Sequence, residues 1–192
     1  MLDFVVWLSE TEWSIALHES LYLYSWIEST HVLSICLFFG TLLFVDLRLT
    51  GRVFNNLSVS EVNSKVLPLT IFGFLVMSLT GLLLFYAIPV RNYQNIFFRT
   101  KMLLIVIAGV NAFFFHRRMS KEAKIWDKDS SIPSSMKNSA ITSLVLWSSV
   151  IITGRMIAYN WFDCDRQPQP KWMNTLTSCE VDYSLFEGID GF

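Results

Sequence analysis

Histidine and cysteine are scarce in this 192-residue chain, three of each, and no two cysteines form a Cys-x-x-Cys pair. A thioredoxin-like redox motif is thereby excluded. No glycine-rich phosphate loop and no Ser/His/Asp set of usable spacing is present, so neither nucleotide chemistry nor triad hydrolysis is expected. The formal net charge of -1 gives no reason to expect nucleic acid as a partner. Lysine and arginine are absent from residues 1–20. The start, Met1-Leu-Asp-Phe-Val-Val-Trp7, has an acid where a signal peptide carries a basic region, so no signal peptide is expected.

What the chain does have is long apolar runs. Hydrophobic residues make up 53% of it and aromatic residues 15%, more apolar than is usual for a soluble domain. Four runs, at 21–46, 67–88, 101–116 and 139–159, approach the roughly 20 residues needed to span a hydrocarbon core. The third is shortest and reaches full length by borrowing Phe97 and Phe98 or the residues after His116. The expected fold is all-α: a polytopic membrane protein whose four transmembrane helices form a bundle, with short connections and antiparallel neighbours. Residues 1–20 are expected as an external surface segment, with a helix over 2–17 that sets Trp7 and Trp13 at the interface. Residues 21–159 form the membrane domain, and 160–192 an external tail. Pro68 suits the first turn of the second span and Pro89 helps to end it. Gly40, Gly73 and Gly81 are expected where helices approach closely.

Charge sets the expected orientation. Arg48, Arg52 and Lys65 lie between the first two runs, and Arg117, Arg118, Lys121, Lys124, Lys128 and Lys137 between the last two. Nine of the fifteen basic residues therefore fall in two loops on one side. The tail holds only Arg166 and Lys171 against six acids. The positive-inside rule places both termini outside, in the periplasm of a bacterial inner membrane, and the basic loops in the cytoplasm. An oxidising exterior permits a Cys164–Cys179 disulfide. Cys36 reads as a small packing residue within the first span. Asp46 and Arg48 are expected at the inner boundary, within reach of headgroups or water. Tyr159 and Trp161 suit the outer aromatic belt.

Few ionisable or amide groups fall at membrane depth: Glu28, His31, Asn111, His116 and Arg155, with Lys101 and Asp46 at the edges. Such groups face the bundle interior and mark function by default. Glu28 and His31 share a helix face at i, i+3. Three readings compete. In the first, His31 and His116 are opposing ligands of a b-type haem, Glu28 orients His31, Asn111 lies close by, and Lys101 and Arg155 face the propionates. At 1.5 Å per residue the two histidines lie about 15 Å and about 22 Å below the outer surface, an offset that helix tilt can absorb. In the second, Glu28-x-x-His31 belongs to a metal site. The spacing is that of di-metal carboxylate bundles, but no other span supplies a glutamate. A copper site with His31, Glu28 and Met77 remains. In the third, no cofactor is bound, His31 bonds Asn111 or a backbone carbonyl as interhelical glue, and the protein is an anchor or assembly subunit. His18 reads as solvated, and the run from Lys121 to Asp129 as a solvated loop or surface helix.

Several stretches carry a resemblance: Ser20-Leu-Tyr-Leu-Tyr-Ser-Trp-Ile-Glu28-Ser-Thr-His31-Val-Leu, Asp46-Leu-Arg48-Leu-Thr-Gly51, Phe98-Arg-Thr-Lys101-Met-Leu, Asn111-Ala-Phe-Phe-Phe-His116 and Gly154-Arg155-Met-Ile-Ala-Tyr159. Over about residues 10–160 the chain resembles an uncharacterised family of four-helix bacterial inner-membrane proteins. His18 departs from that pattern, where such families show arginine. More distantly, the layout is similar to CopD and HemJ-type membrane proteins, which implies an association with copper or with haem. The expected function is a haem b electron-transfer subunit in the lipid bilayer. It would link a periplasmic protein partner, docked on the external loop and acidic tail, to the quinone pool.

Overall fold

The computed structural model describes residues 2–51, 59–129, 133–159, 164 and 170–179. All elements among these are α-helices: α1 (Leu2–Ser9), α2 (Glu12–Glu19), α3 (Leu21–Leu49), α4 (Val59–Ala87), α5 (Pro89–Gln94), α6 (Ile96–Asp129), α7 (Ser134–Tyr159) and α8 (Lys171–Thr177). Four stretches are long and apolar enough to cross a membrane: Leu21–Leu49, Ser64–Ala87, Ile96–Arg118 and Ser134–Tyr159. Large apolar side chains such as Trp26, Leu33, Phe72, Leu82, Val106 and Phe113 stay exposed on them, as a lipid-facing surface requires.

Local chemistry explains where the helices begin. The Ser20 hydroxyl accepts from the Leu23 amide at 3.2 Å and starts α3. The Asn95 side-chain oxygen accepts from the amides of Phe97 and Phe98 and starts α6. Pro89 opens α5 in the first-turn position. The polar stretch between the second and third apolar runs, expected as an external loop, is instead α5 and the start of α6. Residues 2–17 are two helices and not one, because Thr11 turns extended (φ −70°, ψ 141°). Its hydroxyl bonds back to the Leu8 carbonyl and across to the Tyr86 hydroxyl. Pro68 lies inside α4 and does not open it. α6 also runs on past its apolar part to Asp129, so the stretch from Lys121 is helix continuing the span. Trp161 and most of the tail beyond residue 160 lie outside the described residues.

The helices pack as two antiparallel hairpins, α3 with α4 and α6 with α7, joined mainly through α3 and α7. Direction follows from the contacts. Along α3, His31 meets Thr80 while Phe38 meets Gly73 and Phe74. Between α3 and α7, Phe38 meets Trp147; between α6 and α7, Lys101 lies by Gly154 while Asn111 bonds Ser139. Buried positions along α7, namely Met136, Ala140, Ser143, Trp147 and Val150, recur every three or four residues, the seam of a helix that faces a bundle interior.

A middle layer holds the bundle together. Phe38, Ala108, Trp147 and Val150 are buried against one another, with Met77, Leu104 and Ile105 around them. The Phe38 ring is 4.6 Å from that of Trp147, edge to face, an arrangement aromatic quadrupoles favour. Gly73 lets α4 close onto it, since a Cβ there would meet the Phe38 backbone nitrogen at 3.0 Å. Gly81 serves the same purpose beside His31. Gly40, expected at a close approach, has nothing within 4 Å of such a Cβ. Cys36 likewise is an exposed free thiol and not a packing residue.

The end where α3 begins is covered by short helices. α1 packs on α5, α2 on α4, and α8 on α6. Ser14 donates to the Tyr86 carbonyl at 2.8 Å. The Cys164–Cys179 disulfide is formed and closes the chain onto α8.

Candidate functional site

Two helical turns from the middle layer, toward the capped end, all four spanning helices contribute to one polar layer. His31 lies seven residues before Phe38 on α3, Thr80 and Gly81 seven and eight after Gly73 on α4, Lys101 seven before Ala108 on α6, and Gly154 seven after Trp147 on α7. With antiparallel neighbours, each offset moves about 10 Å in the same direction. The contacts bear this out. His31 Nδ1 is 2.9 Å from Thr80 Oγ1, and a Cβ on Gly81 would meet His31 Cε1 at 3.1 Å. A Cβ on Gly154 would meet Lys101 Nζ at 3.4 Å.

The Thr80 hydroxyl lies 2.7 Å from the Val76 carbonyl of its own helix and 3.1 Å from that of Met77. A proton spent there favours the tautomer in which His31 Nδ1–H donates to Thr80 Oγ1. In that tautomer the lone pair sits on Nε2. Lys101 is half-buried and makes no hydrogen bond or ion pair with another described residue. The layer therefore presents one imidazole and one lysine amine inside an apolar bundle.

The other residues singled out in the sequence lie apart from this layer. Glu28 is exposed on α3. Asn111 lies ten residues beyond Lys101 on α6 and pairs with Ser139 of α7. Its amide donates to the Ser139 carbonyl at 3.1 Å and its oxygen accepts from the Ser139 hydroxyl at 2.9 Å. His116 is exposed. It sits fifteen residues past Lys101, about 22 Å further along the helix axis, so the two spanning histidines occupy different levels. Arg155 is exposed, with its guanidinium carbon 5.2 Å from the centre of the Tyr159 ring. His18 is exposed in the last turn of α2. Among the described residues, no group of three or more His, Cys, Asp and Glu side chains is arranged to hold a metal ion.

Asp46 differs from its expected place at the boundary. It is 5% exposed, and its Oδ2 has no hydrogen-bond partner among the described residues. Leu49, Met136 and Ala140 pack near it as a third layer, at the other end of the bundle.

Thr80, Gly154 and Ser139 are the partners that sequence reasoning missed. A hydroxyl or glycine in an apolar run carries no mark of function. The one available signal is the glycine two turns from each middle-layer residue on α4 and α7.

No curated protein and no solved structure matches the chain. A family model described as a family of unknown function matches residues 18–160, which include all four spanning helices and every residue of the polar layer. The chain is a member of that family, DUF6644.

Proposed function

We propose that this protein is a membrane subunit that binds haem b through His31 and passes single electrons between a protein partner at the capped end and the quinone pool. The bond between His31 Nδ1 and Thr80 is the observation that carries the reading. An axial histidine needs its second nitrogen anchored by a hydrogen bond so that the other offers its lone pair. Thr80 supplies that anchor, the part the sequence assigned to Glu28. The half-buried ammonium of Lys101, at the same level, suits a propionate. Haem, when bound there, supplies one-electron redox chemistry. The chain's own residues hold and orient it: His31 as ligand, Thr80 as the group that fixes the ring, and Lys101 as the counter-charge. His116 lies too far along α6 to be the opposing ligand. The charge pattern of the loops supports a bacterial inner membrane with the capped end in the periplasm.

A difference spectrum of the full chain, purified in detergent after expression with haem supplied, tests this. The expected result is a reduced b-type Soret and α band that His31→Ala abolishes and His116→Ala keeps. A colourless wild type, or a band indifferent to His31→Ala, overturns it.

One alternative has an observation of its own. His31–Thr80 and Asn111–Ser139 are interhelical polar bonds at two levels, which is how a cofactor-free anchor would fix its helix register. A colourless protein whose assembly with a co-purifying partner depends on the external helices supports that reading. The copper reading gains no ligand cluster from the described residues, and stoichiometric copper in a colourless protein would be its sign.

A further inference from the structure

At the end of the bundle opposite the cap, α6 and α7 leave a groove of about 400 Å³ between them, within the size range of small-molecule sites. Its walls combine two chemistries. Phe114 and Phe115 of α6 make one wall apolar, while Ser135, Asn138 and Thr142 of α7 bring hydrogen-bonding side chains to the other, and Arg118 completes it. The Asn111–Ser139 pair also lines the groove with its hydrogen bonds already made. Arg118 is the last residue of the apolar stretch of α6, and Ser135 falls in the first turn of α7. The polar mouth is thus at headgroup level, and the groove runs from there toward the apolar depth. Arg118 is exposed and makes no hydrogen bond or ion pair with another described residue. Its fork of donors matches a phosphate oxygen pair.

We infer that this groove is a binding site for an anionic phospholipid: Arg118 with Asn138 and Ser135 take the phosphodiester, and an acyl chain lies along Phe114. Two features select the ligand. The position at the end of two spans requires a molecule with a charged head and an apolar tail, which a free phosphate lacks. The charge requires an anion, and the sequence from Arg117 to Lys137 carries five further cations against three acids. Basic pockets between transmembrane helices bind anionic headgroups by this combination.

The full chain in detergent is titrated with phosphatidylglycerol, with phosphatidylcholine of the same acyl chains, and with inorganic phosphate, and bound lipid is counted by native mass spectrometry. Phosphatidylglycerol is expected to bind at one site and to bind more tightly than phosphatidylcholine. Arg118→Gln is expected to weaken it about fivefold, the effect of one cation at a membrane surface. Arg117→Gln, beside the groove and not among its walls, is expected to keep the affinity within about twofold. Asn138→Leu keeps the charge and tests the neutral wall, and it too is expected to weaken binding. Equal binding of the two lipids overturns the inference. So does an Arg117→Gln loss as large as that of Arg118→Gln, which would mean diffuse attraction, or full competition by inorganic phosphate, which would mean a free-anion site.

Discussion

Single atoms decide how closely α3 and α4 approach. A Cβ at Gly73 would press on the Phe38 backbone, and one at Gly81 on the end of the His31 ring. Backbone cannot yield as a ring can. Gly73→Ala is therefore expected to cost about 1–3 kcal/mol, the range for overpacking, and Gly81→Ala less. Gly109→Ala, with nothing within 4 Å of its Cβ, is expected to be neutral or stabilising by up to about 1 kcal/mol from helix propensity. Unfolding of the three variants in mixed micelles checks the order, and a Gly109 variant as damaged as the Gly73 one contradicts it. Thr80→Val removes the acceptor of His31 Nδ1 and keeps the shape. A loss near 0.6 kcal/mol, the average for such bonds in membranes, is expected from the same measurement. At this scale the sequence was half legible. His31 and Lys101 are visible because ionisable groups are rare in apolar runs. Thr80 is not, because a threonine in a membrane helix usually satisfies itself on its own backbone, which Thr80 also does. Glu28 misled for the opposite reason: its spacing to His31 placed it on the right helix face, but no helix covers it.

Helix α8 is held by its end more than by its faces. Its last residues turn through Ser178 in the left-handed region (φ 58°), and the carbonyls left without helical partners need donors. Arg99 supplies them, donating to the Leu176 and Thr177 carbonyls while its Nε donates to the Tyr93 carbonyl. A cation at a helix C-terminus also meets the negative end of the dipole. Gln94 adds a bond to the Ser178 carbonyl at 3.2 Å. Replacing Cys164 and Cys179 by serine opens a loop of sequence separation 15, worth about 3 kcal/mol in the chain-entropy model. Hydrogen exchange at residues 171–177 is expected to quicken in that variant and in Arg99→Ala, with α3 unchanged. Protection that survives both changes refutes the clamp. The cysteine pair was legible from the charge-derived orientation. The clamp was not, since Arg99 reads as an interface marker until α8 is seen beneath it. The lengths of α4 and α6 were also underread, because apolar runs mark only the part of a helix that meets lipid.

The whole bundle depends on the contact between its two hairpins, and Trp147 sits at that contact, edge-on to Phe38 and to Phe74. Trp147→Ala is expected to cost about 3–5 kcal/mol, as large-to-small changes in a core do. Trp26→Ala, on a side chain 71% exposed, is expected to stay within about 0.5 kcal/mol. Equal losses in a denaturant series would mean the hairpins are held elsewhere. The four spans and the all-helical class were legible because bilayer thickness fixes a length and a composition. The pairing of the helices was not, because an apolar face toward lipid and one toward another helix use the same residues.

The even spacing of the layers has a consequence for insertions and deletions. On α6, Lys101 and Ala108 are seven residues apart and keep nearly one angular phase, and each meets a partner at its own level. One residue added between them rotates everything beyond it by about 100°. Lys101 and Ala108 then cannot both face the bundle interior. α6 is therefore intolerant of a one-residue change in length between these two levels, like a key whose cuts must keep their spacing.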